Sequence, residues 1–140
     1  MRSLGLDVGD KRIGVAMSDP EEILASPLTT IVRDDDNEAI EAILELVNKN
    51  GAQRIVVGMP YSMSGDIGIQ ASKVKGFVAR LSQRIKIDIE TWDERLSTVA
   101  AQRLMAEANN LGKEARLRRD AAAATFILQG YLDSLKGSIR

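Results

Sequence analysis

Leu4-Gly5-Leu6-Asp7-Val8-Gly9-Asp10-Lys11-Arg12-Ile13-Gly14-Val15-Ala16-Met17 is the stretch on which the fold of this chain turns. Apolar residues alternate with small or polar ones over Leu4 to Gly9 and again over Arg12 to Met17, the period of a strand. The Gly-Asp-Lys between the two runs is hairpin-turn sequence. An antiparallel hairpin is therefore expected to open the fold. Its first strand carries a carboxylate, Asp7, with Gly5 and Gly9 two residues away on the same face. Such a group is expensive in a central strand unless it is paired, hydrogen-bonded or bound to a cation. The glycines are expected to leave open space above it.

Downstream, Leu28 to Val32 is a third short β-branched run after Pro27, and Asp34-Asp35-Asp36-Asn37 supplies helix-start residues. Ile40, Ile43, Leu44 and Val47 then recur at helical spacing until Gly51 ends the pattern. Arg54 to Val57 reads as a buried strand. Val74, Phe77, Val78 and Leu81 repeat the helix spacing, and Ile85 to Glu90 alternates strictly, which predicts a strand with one apolar face. Ser97 or Thr98 is placed to cap a helix carrying Leu104 and Met105. A last helix is expected from about Asp120, with Ala124, Ile127, Leu128, Tyr131, Leu132 and Leu135 on one stripe. The total is a mixed α/β sheet with an antiparallel start and helices covering its faces, folded as one domain over residues 1–140.

Composition narrows the chemistry. The 140 residues include no cysteine and no histidine, which excludes disulfides, a thiolate nucleophile, a Cys/His zinc site and a Ser-His-Asp triad. No stretch approaches the ~20 apolar residues of a membrane span, and the N-terminal residues lack a signal-peptide pattern. A cytoplasmic protein is expected. Three carboxylates stand apart: Asp7 in the first strand, Asp93 or Glu94 after a later strand, and Asp120 on the core stripe of the last helix. Asp120 alone reads equally well as a helix cap. Together, the three can converge on one sheet edge, and oxygen ligands in that pattern suit Mg²⁺ or Mn²⁺.

The formal charge of −1 conceals an uneven distribution. Residues 1–94 hold 11 basic and 16 acidic side chains, whereas residues 95–140 hold 8 basic and 4 acidic ones. Lys113, Arg116, Arg118 and Arg119 crowd the approach to Asp120, and Arg95 adjoins Glu94. Cations around an acidic cluster are what cleavage of a phosphodiester polyanion requires. The loop from Gly58 to Gly68 matches no nucleotide-binding fingerprint. Tyr61, Trp92 and Phe126 are too scattered to form a base-stacking platform.

The opening motif Leu6-Asp7-Val8-Gly9-Asp10-Lys11-Arg12-Ile13-Gly14-Val15-Ala16 resembles that of the YqgF family, also called RuvX. The resemblance continues through Val56-Val57-Gly58-Met59-Pro60, Gly65 and Gly68. It resumes in Trp92-Asp93-Glu94-Arg95-Leu96-Ser97-Thr98 and closes with Asp120-Ala121-Ala122-Ala123-Ala124, Ile127-Leu128-Gln129 and Tyr131-Leu132. It implies an RNase H-like fold, with a five-stranded mixed sheet in the order 3-2-1-4-5. It also implies a two-metal nuclease centre on Asp7, Glu94 and Asp120, with Lys11, Arg12 and Arg95 contacting phosphates. Parity with Lys86, Asp88 and Glu90 favours Glu94 over Asp93, provided the strand persists that far. The implied partner is structured nucleic acid, and the implied role is maturation of the 5′ end of pre-16S ribosomal RNA by a monomer or homodimer. The alternatives are resolution of four-way DNA junctions and non-catalytic nucleic-acid binding. An actin-like ATPase shares the hydrophobic-Asp-x-Gly phosphate loop but needs a duplicated domain, and no internal repeat is present.

Overall fold

The computed structural model describes residues 1–61, 64, 65, 67–96 and 113–137. The opening stretch forms β1 (Arg2–Val8) and β2 (Arg12–Ser18), antiparallel, with Asp7 opposite Gly14 and Leu6 opposite Val15. β3 (Ala25–Val32) continues the meander. It starts earlier than the expected Leu28 and takes in Pro27, where the register slips between Val15 and Ala16. β3 is an edge strand, so a missing N–H at a bulge is tolerated.

The chain then crosses the sheet. α1 (Asp36–Asn50) is capped by Asp35, whose carboxylate accepts from the Asn37 N–H, and it ends at Gly51 in the left-handed region, φ 65°. β4 (Ala52–Met59) pairs parallel with β1, and α2 (Ile69–Ser82) leads to β5 (Asp88–Asp93), parallel to β4. The resulting order is β3-β2-β1-β4-β5. β5 lies later than the alternation of Ile85 to Glu90 predicts, because alternation reports which side chains face the core and not where pairing starts. Ile85 and Ile87 pack against the core from the connecting segment, while the ladder opens at Arg54 opposite Asp88. A short 3₁₀ turn, Glu94–Leu96, follows β5. The helix expected after Ser97 or Thr98 lies outside the described residues.

α3 (Lys113–Gly137) closes the fold. Asp120 is inside this helix, not at its start, which removes the capping explanation. The preceding Lys-Glu-Ala-Arg-Leu-Arg-Arg run consists of good helix formers and extends the helix. Two cores result, one on each sheet face. Leu4, Leu6, Ile13, Val15, Ile55 and Val57 pack with α1 and α2 around Phe77, whereas Ala16 and Val56 pack with Ala124, Ile127, Leu128 and Leu132 of α3.

Candidate active site

The face beneath α3 is built from small residues. Along β1 the side chains of Ser3, Gly5 and Asp7 share this face, and Asp7 is flanked across the ladder by Gly14 of β2. On the other side, β4 places Gly58 one residue past the Leu6–Val57 pair. A Cβ at Gly14 would stand 1.9 Å from the Asp120 backbone oxygen, and one at Gly58 would stand 2.5 Å from Ile127 Cδ1 and 3.0 Å from Glu94 Cγ. Gly5 is equally filled, 2.7 Å from Leu128 Cβ, so the space expected above Asp7 does not extend over Gly5 and opens instead on the Gly9 side, where Asp7 and Gly9 line one cleft. The glycines admit the helix backbone to the strands. Asp120 and Glu94 are thereby brought to the row that carries Asp7.

The same proximity perturbs the carboxyls. Burial pushes the Asp7 carboxyl up to about 6, the Asp120 charge adds to the rise, and Arg119 opposes it. Burial likewise raises Glu94 to about 7, with the charges of Asp7 and then Asp93 contributing. A like charge at close range disfavours ionisation, so each shift records a neighbour as well as a dry environment. Asp120 is held differently: Arg12 Nε donates to its Oδ2 at 2.6 Å, and Arg119 Nη2 lies 3.5 Å from Oδ1. Asp7, Gly9, Asp10, Lys11, Arg12, Arg119 and Asp120 line one cleft of about 390 Å³.

Asp93 and Glu94 lie on different sides of the sheet. Gly58 pairs with Trp92 and Met59 with Asp93, so Asp93 faces away from α3 and the next residue, Glu94, returns to it. Asp93 accepts bonds from the Arg95 backbone N–H and from Arg95 Nε, which hold its carboxyl below the usual range. Arg95 is thus engaged outside the cluster, with its guanidinium 5.7 Å from the Tyr61 ring centroid. Of the expected phosphate-contacting residues, Lys11 and Arg12 line the cleft and Arg95 stands apart from it. Arg119 is described beside Asp120, whereas the side chains of Lys113, Arg116 and Arg118 lie outside the described set.

Among the described residues, no three acidic side chains are closed tightly enough to hold a metal ion as they stand. Glu94 senses the Asp7 charge and Asp7 senses that of Asp120, while Asp120 is occupied by Arg12. The parts of the site that sequence reading missed are Gly14 and Gly58, whose role is spatial. Their signal was a glycine on each strand neighbouring Asp7, which only the register exposes.

The sheet order, the crossing connections and an acidic residue on the central strand define an RNase H-like fold. The Thermus thermophilus RuvC structure in complex with a Holliday junction substrate superposes with a TM-score of 0.64 at 15% identity, covering 99% of this chain and 97% of that one. The fowlpox virus resolvase bound to Holliday junction DNA gives 0.58 at 10% identity, covering 96% of this chain and 99% of that one. At these identities the likeness is one of fold. The chain belongs to the RuvX family, whose model, described as a Holliday junction resolvase, matches residues 1–134. A Clostridium acetobutylicum protein named "Putative pre-16S rRNA nuclease" is 48% identical over 135 residues, covering 96% of this chain and all of that one. A Caldanaerobacter subterraneus protein of the same name is 46% identical over 139 residues, covering 99% of this chain and all of that one.

Proposed function

We propose that this chain is a divalent-metal-dependent nuclease that processes the 5′ end of pre-16S ribosomal RNA in ribosome assembly. The observation that carries the reading is the convergence of Asp7, Glu94 and Asp120 under α3 beside a cleft lined by Lys11, Arg12 and Arg119. The near full-length relatives named as pre-16S rRNA nucleases favour RNA as substrate. Single-domain organisation and a cytoplasmic setting follow from the same reading. Among the described residues no helix is long and apolar enough to cross a membrane.

The donor set fits Mg²⁺ or Mn²⁺. It consists of hard carboxylate oxygens, two of them raised in pKa by burial and crowding that a cation would relieve. Mg²⁺ is commonly bound through one or two carboxylates together with the substrate's own phosphates. Asp7 and Glu94 would hold it, joined by Asp120. The bound ion supplies a more acidic water and stabilises charge developing on the phosphate oxygens.

The remaining work falls to protein groups. Lys11 and Arg12 meet the phosphates as they enter, and Arg12 ties the substrate to Asp120 through a guanidinium with several donors. α3 packs directly on the glycine rows, which sets where Asp120 stands relative to Asp7.

The decisive experiment compares a pre-16S rRNA fragment with a four-way DNA junction, each with and without Mn²⁺, using the parent chain and Asp7→Asn. Loss of the several kcal/mol a metal centre contributes predicts at least ~10³-fold slower RNA cleavage by Asp7→Asn, with binding retained. Undiminished cleavage by that variant would remove the mechanism. The family description and the RuvC-like fold favour the DNA junction as the second reading. Paired cuts in the junction by a dimer, with RNA left intact, would establish it. Binding to either substrate without any cleavage would leave a non-catalytic module.

A further inference from the structure

Arg33 bonds the backbone of the turn that carries Lys11 and Arg12. Gly9 N–H donates to the Arg12 carbonyl at 2.9 Å, closing a two-residue turn over Asp10 and Lys11. Its outer carbonyls are taken by Arg33. The Arg33 N–H donates to the Lys11 carbonyl at 2.8 Å, and Arg33 Nη1 donates to the Gly9 carbonyl at 2.8 Å. The same guanidinium donates from Nε to Asp36 Oδ1 at 2.8 Å and stacks 4.8 Å from the centroid of Phe77, a fully buried core ring. Asp36 is kept ionised, well below the usual carboxylate range, first of all by Arg33 and further by Arg80. Arg33 therefore joins the turn to the start of α1 and to the core face of α2.

We infer that Arg33 is a positioning residue for the nucleic-acid-binding turn, fixing Lys11 and Arg12 against the substrate's phosphates without touching the substrate itself. This rests on the reading of the cleft as the site of phosphodiester cleavage. Three observations support it. The Arg33 side chain is 14% exposed, with its donors committed inside the protein, so it has little left to offer a phosphate. Of the other described ties to the turn, Lys73 to Asp10 at 3.6 Å joins side chains 52% and 57% exposed, and such pairs hold weakly, while Arg12 Nε to Asp120 Oδ2 holds only the Arg12 side chain and leaves the Gly9 and Lys11 carbonyls to Arg33. The acidic centre does not depend on Arg33, because Asp7 is set by the β1–β2 ladder, Glu94 by β5 and Asp120 by α3. Loss of the guanidinium should loosen substrate binding and spare the chemical step.

The test uses Arg33→Met, which keeps an apolar stem over Phe77, together with Asp36→Asn, which weakens the anchor only. With a pre-16S rRNA fragment and Mn²⁺, KM should rise roughly tenfold for Arg33→Met and less for Asp36→Asn, with kcat within about twofold of the parent. Binding to the same RNA, measured in an Asp7→Asn background, should lose up to ~2 from its slope of log affinity against log salt, one for each phosphate contact. In a Lys11→Gln/Arg12→Gln background, Arg33→Met should have no further effect on binding. Additive losses in that cycle would mean that Arg33 meets the phosphate directly, and would overturn the inference. Unchanged KM and salt slope in a folded Arg33→Met would overturn it as well. Should Arg33→Met fail to fold, Asp36→Asn carries the same test, and an unaltered KM there would count equally against it. Cleavage that survives Asp7→Asn would instead reject the site reading, which makes the two failures distinguishable.

Discussion

The two faces of the sheet follow opposite rules. On the α1 and α2 side, β1, β2 and β4 present Leu4, Leu6, Ile13, Val15, Ile55 and Val57, all fully buried and packed around Phe77, Ile40 and Ile43. On the α3 side the same strands present Gly5, Asp7, Gly14, Ala16, Val56 and Gly58. One face is stabilised by large side chains. The other omits them, so that a helix backbone can approach and deliver an acidic residue to a buried acidic residue. Burying a carboxylate among others is destabilising, and the apolar face is what allows the domain to tolerate it. Stability and chemistry are thus segregated across one sheet only two layers of side chains thick.

The comparison breaks most plainly at Phe77. Truncation to alanine removes a fully buried ring and leaves a cavity, which costs ~3–5 kcal/mol. Urea unfolding should show that loss, while kcat for the fraction still folded stays near the parent value. A large fall in kcat of the folded protein would mean that the two faces are not separable.

The acidic face makes the opposite prediction, in which a loss of function increases stability. The Asp7 carboxyl is raised from 3.8 to about 6 in the fold. A carboxyl whose folded pKa is raised favours the fold fully below its unfolded pKa, and that contribution disappears as pH climbs through the folded value. In metal-free protein, the Asp7 contribution should therefore decline between about pH 4 and pH 7. At pH 8, Asp7→Asn should be more stable than the parent by ~2–3 kcal/mol, and at pH 4 the two should converge. Groups remote from Asp7 cancel in the difference, whereas Glu94, itself raised by the Asp7 charge, is relieved in the variant and adds to the difference in the same direction. Equal stability at pH 8 would show that the buried carboxylates are not in conflict.

Much of this arrangement was legible in the residues, in unequal measure. The hairpin, the stripes of α1 and α2, and the placing of Asp7 in β1 follow from periodicity, because a side chain's burial is written into its spacing. The strand order came instead from the likeness to a family, since periodicity says nothing of which strands are neighbours. β5 was displaced by Ile85 and Ile87, which are half-buried against the core without being paired. The start of α3 was misplaced because the Lys- and Arg-rich run before Asp120 has no apolar stripe, although its residues favour helix. Parity favoured Glu94 over Asp93 only if the strand ran that far; β5 ends at Asp93 and Glu94 opens the 3₁₀ turn, so it is the approach of Glu94 to Gly58 that places it on the α3 side. Gly14, Gly58 and Arg33 were not legible, because each acts on a residue distant in sequence and only the register and the packing of α3 and α1 bring them together.

The smallest change in stability should accompany the most informative change in geometry, at Gly14. A Cβ there would stand 1.9 Å from the Asp120 backbone oxygen and 3.0 Å from the Ala121 nitrogen, both backbone atoms that no rotamer change can move aside. Gly14→Ala must therefore push α3 off the sheet locally, at the ~1–3 kcal/mol typical of overpacking. In an ordinary strand the same substitution would be neutral or favourable, since glycine weakens strand interiors. The displaced residue is Asp120, so cleavage of the RNA fragment should fall by ~10²-fold or more even though no acidic group has been altered. Urea unfolding and Mn²⁺-dependent turnover on the same preparation separate the two effects. Activity close to the parent, with the expected loss of stability, would show that Asp120 need not approach the Asp7 row closely, and the glycines would then be a packing device only.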